Sequence, residues 1–337
     1  MTPEAALDRV VHCLDRAHDN GFKAKAFHRA RDVVRATDPA ELSERAAAGT
    51  LTKLEGIGDS TAKVITEALA GGVPSYLAKL EATTQVAITP GGERYREALR
   101  GDCHLHSTWS DGGAEIVEMA TTARALGHEY MVLTDHSARL TIAHGLDRER
   151  LQRQLDDVRD LNASFDDGFR ILTGMEVDIF EDGGLDLDDD LLERLDVVVA
   201  SVHSKLRMER HQMTERMVLA VANPHVDILG HCTGRMIGKR PPSTFDADYV
   251  FAACKQFGTA VEINCRPERL DPPRELIDVA IDYGCWFSID TDAHATGQLE
   301  WQPHGCDRAA EREVPIERVI NTMSATDLLA WTSSAGG

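Results

Sequence analysis

Long apolar runs and paired cysteines are both missing from this sequence of 337 residues. No segment approaches the roughly 18 apolar residues that a membrane-spanning helix requires. The first segment, MTPEAALDRVVHCLDRAHDN, is charged and lacks the apolar stretch of a signal peptide. The seven cysteines never form a C-x-x-C pair, which argues against a zinc ribbon and a disulfide framework. We therefore expect a cytoplasmic protein that has no membrane partner.

Positive charge is also scarce, and the imbalance is confined to one part of the chain. The sequence has 36 Lys and Arg against 56 Asp and Glu, a formal net charge of −20. The first 100 residues hold 14 of each sign, so the remaining 237 carry the whole excess of acid. Such a surface repels nucleic acid broadly, and it is the main argument against a DNA substrate. Bound divalent cations would offset part of this charge.

Residues 1–88 have the apolar spacing of helices and are predicted to form a small all-helical domain. PEAALDRVVHCLDRAHD and FKAKAFHRARDVVRA both repeat apolar residues at helical intervals. LTKLEGIGDSTAKVITEALAGG predicts two helices joined by a glycine turn at residues 56–58. Such a turn is either an ordinary connection or a helix-hairpin-helix, whose amides can approach a phosphate. We predict a linker over residues 89–100.

From residue 101 onward, short apolar segments alternate with amphipathic stretches. Seven of them are predicted as strands: 101–106, 130–136, 170–179, 196–203, 227–231, 260–264 and 287–294. Alternation of strand and helix implies a parallel sheet. Seven such units within residues 101–337 predict an α/β fold, a closed or nearly closed (βα)7 barrel of distorted TIM type with its helices outside.

Histidines and carboxylates recur where these predicted strands end. In a parallel barrel all carboxyl ends meet on one face, where active sites are built. Nine side chains would gather there: His104, His106, Asp111, His136, Glu176, His203, His231, Asp292 and His294. Crowding them together without cations would be costly. Imidazole and carboxylate suit zinc, manganese and iron, and nine ligands are too many for one ion, so two or three are implied.

Seven motifs in this region resemble the PHP (polymerase and histidinol phosphatase) domain. They are GDCHLHSTWSDG, LTDHS, GMEVDI, SVHSKL, NPHVDILGHCTGR, EINCRPERLD and IDTDAH, in order between residues 101 and about 323. The likeness is closest to the C-terminal domain of bacterial family X DNA polymerases. It implies a PHP barrel with three divalent ions, zinc or manganese, with iron as a further option.

The resemblance also implies how the nine ligands are shared. One ion would take His104, His106, Glu176 and Asp292. A second would take Glu176, His203 and His231, and a third Asp111, His136 and His294. A metal-bound water positioned by Glu176, Asp292, His104 and His106 would be the nucleophile.

Other polar residues near the strand ends are candidates for supporting roles. Lys205, Arg235 and Arg266 each follow a strand end and could contact phosphate, or could instead form ion pairs with the acidic rim. Asp135 could orient a ligand histidine without binding a metal itself.

The helical part has a resemblance of its own. GFKAKAFHRARDVV, the glycine turn and LAKLE resemble the small N-terminal, single-strand-binding domain of family X polymerases. This implies a DNA-contact domain, with candidate contacts Gly56, Ile57, Gly58, Lys63, Lys23, Lys25 and Arg29. Residues 83–100 leave no room for a polymerase palm, so polymerase activity is not expected.

The sequence therefore predicts a metal-dependent phosphoesterase that acts in DNA repair and needs no nucleotide cofactor. Its expected substrate is single-stranded or gapped DNA or a 3′ end, through 3′–5′ exonuclease or 3′-phosphatase activity, with abasic-site cleavage as a further option. One alternative is a small-molecule phosphatase, for example one acting on histidinol phosphate. The other is a DNA-binding module whose metal site is only structural.

Overall fold

The described chain changes from helices alone to alternating strand and helix at residue 101. The computed structural model describes residues 1–19 and 21–335. Its α-helices are α1 Pro3–Arg16, α2 Phe22–Ala36, α3 Pro39–Ala47, α4 Asp59–Leu69, α5 Ser75–Thr83, α6 Pro90–Ala98, α7 Ile116–Ala125, α8 Arg148–Asn162, α9 Asp189–Leu192, α10 Arg210–Val221, α11 Ala247–Phe257, α12 Arg274–Tyr283, α13 Gln302–Glu311 and α14 Ala325–Ala335. Two compact units result, one of Met1–Val86 with Thr296–Gln298 and one of the remaining described residues from Ala87 onward.

The first unit is built from α1 to α5 around an apolar core. Its buried side chains include Leu7, Val10, Phe27, Ile65 and Leu77. The start of α3 follows the sequence signal, because the Asp38 carboxylate accepts a hydrogen bond of 2.8 Å from the Ala40 amide and Pro39 occupies the first turn. The predicted all-helical character of this region is confirmed.

The second unit contains seven parallel strands in sequential order. They are β1 Gly101–Leu105, β2 Tyr130–Leu133, β3 Arg170–Asp178, β4 Val197–Ser201, β5 Ile228–Leu229, β6 Ala260–Asn264 and β7 Phe287–Asp290. The first and last strands approach through a parallel bridge between Leu105 and Ala293, and the His106 amide donates a 2.8 Å hydrogen bond to the Ala293 carbonyl. The nearly closed α/β barrel predicted from the sequence is confirmed.

Several strands are shorter than predicted, and this shifts polar residues into loops. β2 ends at Leu133 and β7 at Asp290, so His136 and Asp292 lie just beyond the strands. A bridge between His136 and Glu176 keeps the first of these loops in register with β3. The polar side chains therefore still emerge at the carboxyl end of the barrel.

The side chains on one face of a strand change from apolar to polar along the length of the strand. On β3, Leu172 belongs to a buried apolar cluster, and Glu176, four residues later on the same face, is buried among polar groups. On β6, Ala260 belongs to the same cluster and Glu262 follows it on that face. The barrel therefore has an apolar layer at its amino end and a polar layer at its carboxyl end.

Three smaller features complete the fold. Residues 89–100, predicted as a linker, contain α6, and the Tyr95 hydroxyl on this helix donates a 2.6 Å hydrogen bond to the Val314 carbonyl. All seven cysteines are buried and free, as their scattered positions suggest. Within the described residues, no helix combines the length and the apolarity needed to cross a bilayer.

Candidate metal centre

Glu176, near the end of β3, lies at the centre of a buried polar cluster. One oxygen, Oε1, lies 3.1 Å from Nε2 of His203 and 2.9 Å from Nε2 of His231. These histidines follow β4 and β5, the next two strands. Neighbours in strand order thus become neighbours at the mouth of the barrel.

The other oxygen of Glu176, Oε2, faces one histidine near the end of β1 and two that follow β1 and β2. It lies 3.2 Å from Nε2 of His104 and 2.9 Å from Nδ1 of His136. Nε2 of His106 lies 3.5 Å away. One carboxylate therefore reaches imidazoles from four strands, which is an arrangement suited to a ligand shared between cations.

Two aspartates bring the remaining predicted ligands into the cluster. Oδ1 of Asp111 lies 3.5 Å from Nε2 of His136 and 3.3 Å from Nε2 of His294. Oδ1 of Asp292 lies 3.5 Å from Nε2 of His106 and 3.5 Å from Nδ1 of His294. The carboxyl end of the barrel thus gathers all nine predicted side chains.

The ligand atoms fall into three groups whose members lie within 4.8 Å of one another. The groups are His106, Asp111, His136 and His294; His104, His106 and Asp292; and His136, Glu176 and His203. They overlap the three ligand sets inferred from the sequence, with His106 and His136 each shared between two groups. Seven of the nine residues line a cavity of about 200 Å³ that opens at this face.

Several buried atoms in the cluster have no hydrogen-bond partner among the described residues. They are both carboxylate oxygens of Glu176, Nε2 of His104, Nδ1 of His136 and of His231, and both ring nitrogens of His106 and of His203. Buried polar atoms are rarely left unpaired in native proteins. Because imidazole nitrogens and carboxylate oxygens are ligands of zinc, manganese and iron, the donor set fits divalent cations.

Mutual electrostatics favour the ligand form of most of these groups. Burial opposes ionisation of Glu176, yet His104 and His203 lower the pKa of its carboxyl well below the usual value. Burial lowers the pKa of His231 to about 4, so this ring is neutral. Burial also opposes protonation of His203, but Glu176 outweighs it and raises the pKa of His203 to about 9. A cation that binds at His203 would therefore displace a proton.

Two further carboxylates contact predicted ligand histidines and were not assigned to the site from the sequence. Glu262 on β6 lies 2.6 Å from Nδ1 of His104 through Oε1, and its Oε2 accepts a hydrogen bond from the His231 amide. Asp178 accepts a 3.1 Å hydrogen bond from the His203 amide and lies 3.4 Å from Nδ1 of the same ring. Such partners fix the orientation of a metal-binding imidazole.

Asp135 organises a loop that carries a predicted ligand. Its carboxylate accepts hydrogen bonds from the Ser107 hydroxyl at 2.6 Å, the Ser110 hydroxyl at 2.5 Å and the Gln154 amide at 2.6 Å. The loop continues directly into Asp111. Asp135 thus holds this loop in place, and none of its hydrogen bonds among the described residues goes to a predicted ligand histidine.

Two arginines line the cavity beside the carboxylates. Nη1 of Arg266 lies 3.1 Å from Nδ1 of His294 and 3.6 Å from Oδ1 of Asp292. Nε of Arg269, which was not singled out from the sequence, lies 3.2 Å from Oδ2 of Asp292. Both guanidinium groups are therefore placed where they could meet a bound anion.

The other two predicted phosphate contacts lie outside the lining of this cavity. Lys205 is exposed, and its backbone adopts a left-handed conformation with φ of 53°. The guanidinium of Arg235 donates a 2.7 Å hydrogen bond to the Arg269 carbonyl, and the residue lines a neighbouring groove.

The predicted hairpin turn in the helical unit precedes α4. Gly56 has φ of 95°, and a Cβ at this position would lie 2.9 Å from Cγ of Arg29. The Gly58 amide donates a 2.9 Å hydrogen bond to the Thr61 hydroxyl. Ile57 is buried in the core, so only its backbone is available to a ligand.

The basic side chains of this unit are mostly exposed. Lys25 and Arg29 are exposed on α2, and Nζ of Lys23 lies 4.7 Å from the centre of the Tyr76 ring. Nζ of Lys63 lies 3.6 Å from a carboxylate oxygen of Glu67. The contact of Arg29 with Gly56 joins this basic face to the glycine turn.

Two family models match the chain in the two regions already distinguished. A helix-hairpin-helix domain matches residues 4–74, and the PHP domain matches residues 102–264. A structure of histidinol phosphate phosphatase from Lactococcus lactis with zinc, L-histidinol and phosphate has a TM-score of 0.45 at 17% identity, over 63% of this chain and 93% of that chain.

Curated relatives carry the names of a polymerase and of phosphatases. "DNA polymerase/3'-5' exonuclease PolX" of Bacillus subtilis is 41% identical over 69% of this chain and 41% of its own length. A "Probable phosphatase" of Thermoanaerobacter is 33% identical over 48% of this chain and 63% of its length. A "Probable phosphatase" of Acetivibrio thermocellus is 32% identical over 66% of this chain and 90% of its length. The chain thus spans less than two thirds of the first two relatives but nearly all of the third, and it belongs to the PHP domain family.

Proposed function

We propose that the barrel is a metal-dependent phosphoester hydrolase whose preferred substrate is the 3′ end of a DNA strand. The observation that carries the proposal is the cluster of nine ligand side chains around Glu176, with buried oxygens and nitrogens that lack hydrogen-bond partners. We propose three divalent ions, zinc or manganese, held by the three ligand sets that the sequence analysis assigned. When bound, such ions supply an activated water and neutralise charge on phosphoryl oxygens.

The chain's own residues would support this chemistry in defined ways. Glu176 and Asp292 hold the histidine rings in one layer, and Glu262 fixes the His104 ring through Nδ1. Arg266 and Arg269, both at the cavity, would bind phosphoryl oxygens as negative charge builds up on them. The apolar layer beneath the cluster excludes water from below and leaves the cavity as the entrance.

Three observations support DNA as the substrate. The first unit matches a helix-hairpin-helix domain. Its glycine turn lies beside the basic face of α2, which suits a backbone phosphate. The Bacillus relative is named a 3′–5′ exonuclease. Within this proposal, 3′–5′ exonuclease, 3′-phosphatase and abasic-site cleavage share one chemical step and differ in the group that leaves.

A second candidate is hydrolysis of a small phosphate ester such as histidinol phosphate. It is favoured by the Acetivibrio relative, which is named a probable phosphatase and of which the chain covers 90%. The acidic surface of residues 101–337 also suits a small substrate better than a long polyanion.

The test compares substrates on the full chain after metal content has been measured. The substrates are a 3′-labelled oligonucleotide, the same strand with a 3′-phosphate, and histidinol phosphate. His104→Ala should abolish turnover, and His211→Ala, which changes an exposed histidine on α10, should not. Turnover of the small ester alone would overturn DNA as the substrate. Stoichiometric metal without any turnover would assign the centre a structural role instead.

A further inference from the structure

The loop between β5 and α11 forms a groove that the proposed chemistry does not use. Residues 235–242 line it, and its volume is about 430 Å³. Met236 lines both this groove and the cavity of the metal centre. A chain molecule bound at the metal centre could therefore continue into the groove without crossing the barrel wall.

The groove is cationic and its charges are not neutralised. Arg235, Lys239 and Arg240 are the only charged residues in the stretch, and none of them forms an ion pair with a carboxylate in the described residues. By contrast, Arg148 on the barrel surface is paired with Asp188. Three unpaired cations in a chain of net charge −20 indicate a site for an anion with several charges.

The loop is held in one conformation by its own backbone. The Met236 amide donates a 2.9 Å hydrogen bond to the Arg240 carbonyl, and the Arg240 amide donates one of 2.7 Å to the Met236 carbonyl. The Ile237 amide donates a 2.6 Å hydrogen bond to the Glu268 carbonyl. Nε of Arg240 donates to the Gly234 carbonyl at 2.7 Å. Binding to such a loop costs little ordering entropy.

Apolar surface lies among the charges. Ile237 is 52% exposed, and Pro241 and Pro242 are also exposed. Alternating cations and apolar groups match the alternation of phosphates with sugars and bases along a single nucleic-acid strand. A small phosphate ester would leave this surface uncovered.

The loop after β3, which lies two positions from β5 in the strand order, disfavours the same ligand. The loop after β3 contains six acids and no cation within residues 181–190. Like the loop after β5, it follows the carboxyl end of a strand. Arg148 pairs with two of these acids, Asp188 and Asp190. A polyanion that enters the cavity would be repelled by the remaining acids and attracted by the cations of the groove.

We propose that this groove binds the nucleotides adjoining the scissile phosphate of a single nucleic-acid strand. The proposal rests on the proposed function and gives its substrate a direction across the barrel mouth. Lys239 and Arg240 contact backbone phosphates, and Ile237 contacts an adjoining sugar or base. The groove thereby favours a strand of several nucleotides over a small ester at the same metal centre.

Steady-state kinetics of Lys239→Ala, Lys239→Glu and Ile237→Ser in the full chain test the proposal. Each variant should lower kcat/KM for 3′-labelled oligothymidylate several-fold relative to kcat/KM for p-nitrophenyl phosphate, through KM. The salt dependence of 1/KM should also flatten in the two Lys239 variants, by about 0.7 in log–log slope for each phosphate that the side chain no longer neutralises. Lys255→Ala, which removes an exposed lysine of α11 outside the groove, should leave the substrate ratio unchanged. An unchanged ratio in all three groove variants would overturn the proposal.

Direct binding separates this proposal from the proposed function. Fluorescence anisotropy of labelled oligothymidylate should show weaker binding to Lys239→Glu even if the wild-type chain hydrolyses neither substrate. Such a result would contradict the proposed function alone. Binding that does not depend on Lys239 would contradict the groove. Polyglutamate could also displace the labelled oligonucleotide as well as unlabelled oligothymidylate does, and lose this ability in Lys239→Glu. That result would assign the groove to an acidic protein and would also overturn the proposal.

Discussion

The helical unit and the barrel bury different kinds of side chain. Among the described residues of the first 86, the buried polar or charged side chains are Asp15 and Thr61. The barrel buries several acids, including Asp102, Glu176 and Glu262. Burying such charges is costly unless cations or hydrogen bonds compensate. The comparison indicates that apolar packing stabilises the helical unit, whereas the barrel interior also holds the buried polar cluster of the candidate metal centre.

The largest effect is expected from a change to a buried carboxylate of the barrel, because the barrel buries many more charged side chains than the helical unit does. Glu176→Gln keeps the shape of the side chain but removes the charge that faces five histidines. We expect loss of bound metal and turnover at the background rate, measured by elemental analysis and phosphate release. Glu193→Gln, an exposed glutamate after α9, is the control. Full metal content in Glu176→Gln would contradict a shared carboxylate ligand.

A smaller effect is expected from the carboxylate behind His104. Glu262→Gln leaves the nine ligands in place but weakens the partner of His104 Nδ1. Loss of such an orienting partner costs about 10- to 100-fold in metal affinity. Competition with a chelator of known affinity measures this, and the metal should still saturate at high concentration. An unchanged affinity would show that Glu262 does not orient the ring.

The barrel should also be sensitive to acid through a histidine that binds no metal. His128 is buried without a hydrogen-bond partner for either ring nitrogen, and burial together with Arg96 lowers its pKa to about 3. In the unfolded chain His128 takes up a proton below about pH 6.5, whereas in the folded chain it stays neutral until about pH 3. His128 therefore lowers the free energy of unfolding as the pH falls from about 6.5 towards 3. We expect about 2 kcal/mol of this loss by pH 5.

Urea unfolding at pH 7 and pH 5 tests this expectation. All four tryptophans lie beyond residue 100, so their fluorescence reports on the barrel unit. His128→Leu should reduce the loss of unfolding free energy between the two pH values. His211→Leu, at an exposed site, should not reduce it. If wild type and His128→Leu lose the same unfolding free energy between pH 7 and pH 5, the acid sensitivity does not come from His128.

The smallest effect is expected in the helical unit. Gly56→Ala combines an unfavourable φ with contact against Arg29, at a cost of about 1 kcal/mol. We expect weaker binding of single-stranded DNA because the side chain displaces Arg29 from the turn. Gly71→Ala is the matched control, since Gly71 also has positive φ but its added Cβ would meet nothing within 4 Å. Equal DNA affinity in the two variants would contradict a role for this turn.

Sequence patterns predicted the barrel because apolar segments alternate with amphipathic stretches and because histidines and carboxylates recur where those segments end. The position of each segment placed Glu176 and the six histidines at one rim without any knowledge of distances. The supporting residues were harder to predict. Glu262 and Asp178 are acids on strands, and only the packed barrel shows that they lie against His104 and His203.

The cations show the limit of strand-end reasoning most clearly. Lys205 and Arg266 both follow a strand end, yet only Arg266 lines the cavity. The left-handed backbone at Lys205 depends on the folded loop and leaves no signal in residue spacing. The groove of Lys239 and Arg240 depends likewise on a loop closed by its own hydrogen bonds.

The central claim is that the barrel hydrolyses phosphoesters only when metal occupies the cluster around Glu176. The most direct measurement titrates metal-free protein with zinc or manganese and records bound metal and cleavage of a 3′-labelled oligonucleotide in the same samples. We predict that cleavage rises with metal occupancy and that His104→Ala lowers both. Full occupancy with no cleavage of DNA or of a small ester would contradict the account.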